Sequence, residues 1–147
     1  MTESRNSPGV VPMLSYEDPA TAIAWLERAY GFTEDREQRR TEADGRITHA
    51  QLDTGGGLVM LANPTPSYQS PNHHRASCEA ANRWLSIPWV VDGVLVYVDD
   101  VRAHFERAGA ADATFLSGVE QTPAGRLYRT EDLEGHRWMF MQRSSSD

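Results

Sequence analysis

Residues 18–32 read DPATAIAWLERAYGF, and residues 100–110 read DVRAHFERAGA. Each stretch opens on an aspartate, a residue whose carboxylate can accept from the free N–H groups of a helix start. Pro19 sits where the fixed φ of proline suits the first helical turn. Ile23, Leu26 and Tyr30 fall at i, i+3 and i+7, one helical face, and Val101, Phe105 and Ala108 form a matching stripe. Asp18 is the expected cap of the first helix, and Asp99 or Asp100 that of the second; Gly31 and Gly109 supply the stops. Both stretches carry Ala-x-x-Glu-Arg-Ala, at 24–29 and at 103–108, an offset of 79.

Strand signals surround each helix in the same order. Before the first lies VVPMLSYED. After it, TEDREQRRTEADGRITHAQLD reads as a hairpin turning at Asp44-Gly45, with a polar first arm suited to a sheet edge, and LVMLA follows the glycines at 55–57. GVLVYVDD precedes the second helix, and ATFLSGVEQ, RLYRTED and HRWMFMQ follow it as three more strands. Two β-α-β-β-β units therefore span 10–63 and 91–143, which with the shared hexapeptide indicates an internal repeat. Residues 64–90, with Pro64, Pro66, Pro71 and Pro88, form an excursion holding one short helix at RASCEAANRWL. Residues 1–9 and the closing SSSD read as loose ends.

Bulk properties exclude several classes. The 147 residues suit one compact domain, and 39% hydrophobic content is enough for a core. A net charge of −7 with no basic cluster argues against nucleic acid. No apolar run approaches the ~18 residues a membrane span needs. The start MTESRNSPG lacks the pattern of a secretory signal, and the single Cys78 forms no internal disulfide, so a cytoplasmic location is expected.

VPMLSYEDPATAIAWLERAYGF, DGVLVYVDDVRAHFERAGA and GRLYRTEDLEGHRWMF resemble the vicinal-oxygen-chelate superfamily, in its glyoxalase/bleomycin-resistance-protein-like branch. The resemblance covers roughly 10–143. It implies an α+β fold: two tandem βαβββ modules forming a curved mixed or antiparallel sheet, helices on the outside and a ligand hollow on the concave side. It also implies a homodimer whose hollows are completed across the interface. Metal-dependent members place ligands on the first and last strands of each unit. Carried over, those positions fall on Val11, Met60, Gly93 and Met139. Glycine, valine and thioethers are poor ligands for a divalent ion, so no metal and no cofactor is expected. Glu131, Asp132 and Glu134 lie nearby, in a turn DLEG, and read as exposed turn formers. His73-His74 with Cys78 and Glu79 matches no strong zinc spacing, and Cys78 reads as a small buried thiol on a helix.

Strand alternation supplies the candidate site. With Trp138 and Phe140 under a helix, Arg137, Met139 and Met141 face the hollow. Leu95, Tyr97 and Arg129 join them, as do Val11, Met13 and Ser15 from the first strand. A bulge would exchange Arg129 for Arg126. His49, Gln51 and Met60 come from the first unit, and Trp84 and Trp89 of the excursion wall the space. The ligand-binding set is His49, Met60, Trp89, Tyr97, Arg129, Arg137 and Met139, with His49 the one weak catalytic candidate. The partner this implies is a small amphipathic or aromatic molecule, an antibiotic among the possibilities. Because bleomycin is cationic, the acidity of the chain fits such a drug. The alternative is a glyoxalase- or dioxygenase-type enzyme with an atypical or absent metal site, using His49 as a general base.

Overall fold

The structure is a computed structural model in which residues 8–89 and 91–144 are described; most of both expected loose ends lies outside them. In chain order the elements are β1 (Met13–Ser15), α1 (Pro19–Tyr30), β2 (Thr33–Glu34), a 3₁₀ turn (Arg36–Gln38), β3 (Arg40–Thr41), β4 (Ile47–Asp53) and β5 (Leu58–Ala62). Next come α2 (Pro71–Ser77), α3 (Glu79–Leu85), β6 (Val94–Tyr97), α4 (Val101–Ala110), β7 (Thr114–Phe115), β8 (Glu120–Thr122), β9 (Gly125–Glu131) and β10 (Arg137–Arg143).

Each half builds its own five-stranded mixed sheet, giving a two-module α+β fold. The first runs β1-β5-β4-β2 with β3 also on β4; the second runs β6-β10-β9-β7 with β8 also on β9. In both, the strand before the helix pairs parallel with the last strand and the other pairings are antiparallel.

The caps form as their chemistry dictates. Asp18 accepts from Thr21 N, Asp100 from Ala103 N, and Gly31 ends α1 at φ +78°. Arg107 explains a second demand on Gly31. Its guanidinium donates to the Arg28 and Glu27 carbonyls at 2.9 and 3.0 Å, and a Cβ at residue 31 would press on it. The arginine of the second hexapeptide thus caps the helix that carries the first. At Gly109 the expectation is corrected: α4 runs on to Ala110, and the non-glycine Asp112 takes the positive φ of 66°. The single predicted helix in the excursion is two, broken at Cys78, which is extended (ψ 115°), off the helices and only half-buried. The predicted first arm of the hairpin is likewise interrupted by the 3₁₀ turn, which Asp35 caps.

One core serves both modules. Alternation puts Leu52, Val59 and Leu61 of the first sheet and Val96, Tyr128, Trp138 and Phe140 of the second on core faces, all buried. Tyr30 at the end of α1 is the common contact, with its ring 4.7–5.7 Å from those of Trp25, Phe32, Trp138 and Phe140. Full burial of such side chains contributes about 1.5–3 kcal/mol each. Between α1 and α4, the Trp25 indole donates to Ala111 O at 2.8 Å. His104 Nε2 must donate to the Tyr30 carbonyl (2.9 Å), so Nδ1 accepts from the Tyr128 hydroxyl (2.6 Å). Burial lowers the His104 pKa, with Arg107 adding to the effect against the bond to Tyr30.

Candidate ligand-binding site

The faces of the two sheets turned away from the core carry the predicted site residues. On the first sheet Met13, Met60 and Gln51 stand in one cross-strand row, and His49 lies opposite Arg40. Met13 is 77% exposed, whereas Met60 and His49 are half-buried. On the second sheet Leu95, Met139 and Arg129 form the corresponding row. Tyr97 is half exposed and lies under the Arg143 guanidinium, 3.6 Å from its ring centre.

Four of the seven predicted residues meet. Trp89, Arg129, Arg137 and Met139, with Leu95 and Leu116, surround a cavity of about 200 Å³. Tyr97 lies outside it, lining a space of about 300 Å³ with Val10, Pro12 and Leu58. His49 and Met60 lie on the other sheet, away from both spaces.

Arg137 and the carboxylates of the hairpin turn decide the shape of the roof. The Arg137 guanidinium is buried and fully engaged. Nε donates to Glu131 at 2.9 Å, Nη1 to Ile87 O at 2.5 Å, and Nη2 to Leu85 O. Arg75 of α2 donates to the same Glu131 oxygen at 2.8 Å. The excursion is therefore clamped onto the second sheet at both of its helices. A second space of about 320 Å³ opens beneath α3, between Tyr68, His74, Trp84 and His136.

The reading of Glu131, Asp132 and Glu134 as exposed is overturned: they are 3%, 3% and 8% exposed. Asp132 accepts from the Tyr16 hydroxyl (2.6 Å), the Trp138 indole (3.0 Å) and the backbone N–H groups of Glu134 and His136. Glu134 accepts from the N–H groups of Glu17 and Asp18 at 2.7 and 2.9 Å. Its own pKa is raised, because burial outweighs those two bonds. Burial, reinforced by Asp132, also raises the Tyr16 phenol. The turn thus ties β1 and the start of α1 to the second module. At its tip Gly135 (φ +95°) is required, since a Cβ there would meet Asn72 Oδ1 at 2.5 Å.

The four positions that the resemblance implies for metal ligands carry Val11, Met60, Gly93 and Met139. This donor set, one hydrogen, one isopropyl group and two thioethers, does not fit a divalent cation. Among the described residues no three His, Cys, Asp or Glu side chains group so as to hold a metal ion. His73 is instead 3.2 Å from Glu17.

A model of the Glyoxalase/Bleomycin resistance protein/Dioxygenase superfamily matches residues 10–140. The chain belongs to this superfamily. It is 36% identical to TioX from Micromonospora sp. ML1, over 93% of this chain and 97% of that one, with a TM-score of 0.65. The bleomycin-binding protein of bleomycin-producing Streptomyces verticillus, solved with copper(II)-bleomycin, shares the fold at 18% identity (93% and 97% covered, TM-score 0.58). So does TnmS3, an antibiotic binding protein from Streptomyces sp. CB03234, at 19% (93% and 98%, TM-score 0.61). No curated protein matches the chain significantly. Among the described residues no helix is long and apolar enough to cross a membrane.

Leu116 and the clamp on Glu131 were not anticipated. Leu116 sits in a bulge between β7 and β8 that periodicity does not reveal. The clamp was within reach: Arg137 is the direct cross-strand partner of Glu131, and opposite charges at such positions attract.

Proposed function

We propose that this superfamily member binds a small amphipathic or aromatic molecule, of the antibiotic kind, without a metal and as a cytoplasmic homodimer. The roofed cavity on β9–β10 carries the reading. Apolar groups (Trp89, Leu95, Leu116 and Met139) surround it, with the Arg129 and Arg137 guanidinium groups and the Asp92 carboxylate as its charged elements. Small-molecule pockets have this character: mostly apolar, with a few placed polar groups. Two structural neighbours, one a bleomycin-binding protein and one an antibiotic binding protein, support the same class. The donor set at the metal positions disfavours the metal-enzyme alternative.

Dimerisation is inferred from the first sheet. Its outer face leaves Met13 and the adjoining Val10 (84% exposed) uncovered. A second copy placing its roofed face there would bring His49 and Met60 to the partner's Trp89, Arg129 and Met139, assembling the remaining predicted residues. Tyr97 would flank them.

A thermal-shift panel of aromatic antibiotics and metabolites tests this, with metal analysis and sedimentation of the same preparation. Binding at 100 times Kd adds about 2.7 kcal/mol of stability, a readily measured shift. A monomeric protein that carries one equivalent of divalent metal and is stabilised by no compound would overturn the reading.

A further inference from the structure

Two arginines face the roofed cavity, and they are used differently. Arg137 spends all three nitrogens on Glu131 and two carbonyls. Arg129 has one side-chain hydrogen bond among the described residues, from Nη1 to Glu120 at 3.4 Å, and its Nε is buried with no partner. Glu120 is a weak counter-ion, since its side chain is half exposed and water screens such a pair. Glu131 is already shared by Arg75 and Arg137. Asp92 also lines the cavity, at an exposed position, so three guanidinium groups face three carboxylates there. Arg129 is the cavity arginine whose donors are left unmatched, with one long bond to a half-exposed partner and a buried free Nε. The net charge of −7 is a property of the whole chain and does not describe this spot.

We propose that the ligand is a planar aromatic acid, whose ring lies among Trp89, Leu95 and Met139 and whose carboxylate or phenolate is held by Arg129. This deepens the binding reading above and rests on it. The cavity of about 200 Å³ suits one fused ring system. A guanidinium offers five donors in a planar fork, which an anionic oxygen matches better than a neutral one. Partial enclosure by the 85–89 segment limits the screening of that contact.

The test uses the full chain and three probes with one ring: 2-naphthoate, 2-naphthylmethanol and 2-naphthylmethylammonium, titrated by calorimetry at low and at physiological salt. We expect naphthoate to bind at least tenfold more tightly than the ammonium, with the alcohol between them. Arg129→Gln should erase that preference, bringing naphthoate to no more than the affinity of the alcohol. Glu120→Gln, on the exposed rim, should strengthen naphthoate by removing its competitor, and it keeps the test open should Arg129→Gln fail to fold. Equal or tighter binding of the ammonium overturns the proposal and leaves the binding reading standing. So does a naphthoate preference that neither substitution alters. Failure of all three probes to bind overturns the proposal, and the binding reading is then decided by the wider thermal-shift panel.

Discussion

The two sheets share element order, strand pairing and a helical hexapeptide, yet their outer faces have different surroundings. The first is open, with Met13 almost fully solvated. Over the second, residues 85–89 are held by Arg137, and α2 is held by Arg75 and by Asn72 against the turn before β10. Duplication supplied two equivalent surfaces, and a few charged residues on one hairpin made them unequal. The lesson is general to repeats: the element pattern is inherited by both copies, whereas a site arises from groups outside the pattern.

The seam between the modules should be hardest to break. Asp132→Ala strands four donors, two of them the buried phenol and indole. An unsatisfied buried donor costs about 1–3 kcal/mol, so a loss of about 4 kcal/mol or more is expected in urea unfolding. Removal of the clamp comes next. Arg137→Met leaves Glu131 buried with Arg75 alone, at an expected cost of about 3 kcal/mol. The equivalent change on the open sheet, Leu58→Met, should cost less than about 1 kcal/mol. Similar losses for the two would refute the asymmetry.

The seam also responds to pH. The pKa of His104 is lowered in the folded chain, so its contribution is complete above the ordinary histidine value near 6.5. As pH falls below that, the unfolded chain takes up the proton more readily, and stability declines until the folded value is passed. His104→Gln should flatten this part of a stability–pH profile; an unchanged slope would place the titration elsewhere. The smallest stability change is expected at the roof edge. Trp89 is 71% exposed, so Trp89→Ala should alter unfolding free energy by less than about 0.5 kcal/mol. The same substitution should weaken binding of a ring-bearing ligand about two- to tenfold, since ring contacts are worth about 0.5–1.5 kcal/mol.

Much of this was legible in the residue order. The two helices, the Asp18 cap, the 58–62 strand and the outward parity of Leu95, Tyr97, Arg129 and Met139 follow from periods of 3.6 and 2. The broken helix at Cys78 and the bulge carrying Leu116 were not, because short irregular segments have no period to read. DLEG misled for a related reason. Its acidic residues look solvated in isolation, and the donors that tie them to the first module, Tyr16, Glu17 and Asp18, lie more than a hundred residues away.

By itself the sequence determined the repeated α+β pattern, the face each strand residue takes and the unsuitability of Val11, Met60, Gly93 and Met139 as ligands for a divalent ion. These depend on local periodicity and on side-chain chemistry, which do not change on folding. Tertiary structure alone decided that Arg137 is fully engaged whereas Arg129 has only a long bond to Glu120, and that the acidic turn is buried. Hydrogen bonding is a matter of which distant groups arrive within about 3 Å, and strand parity carries no information about that.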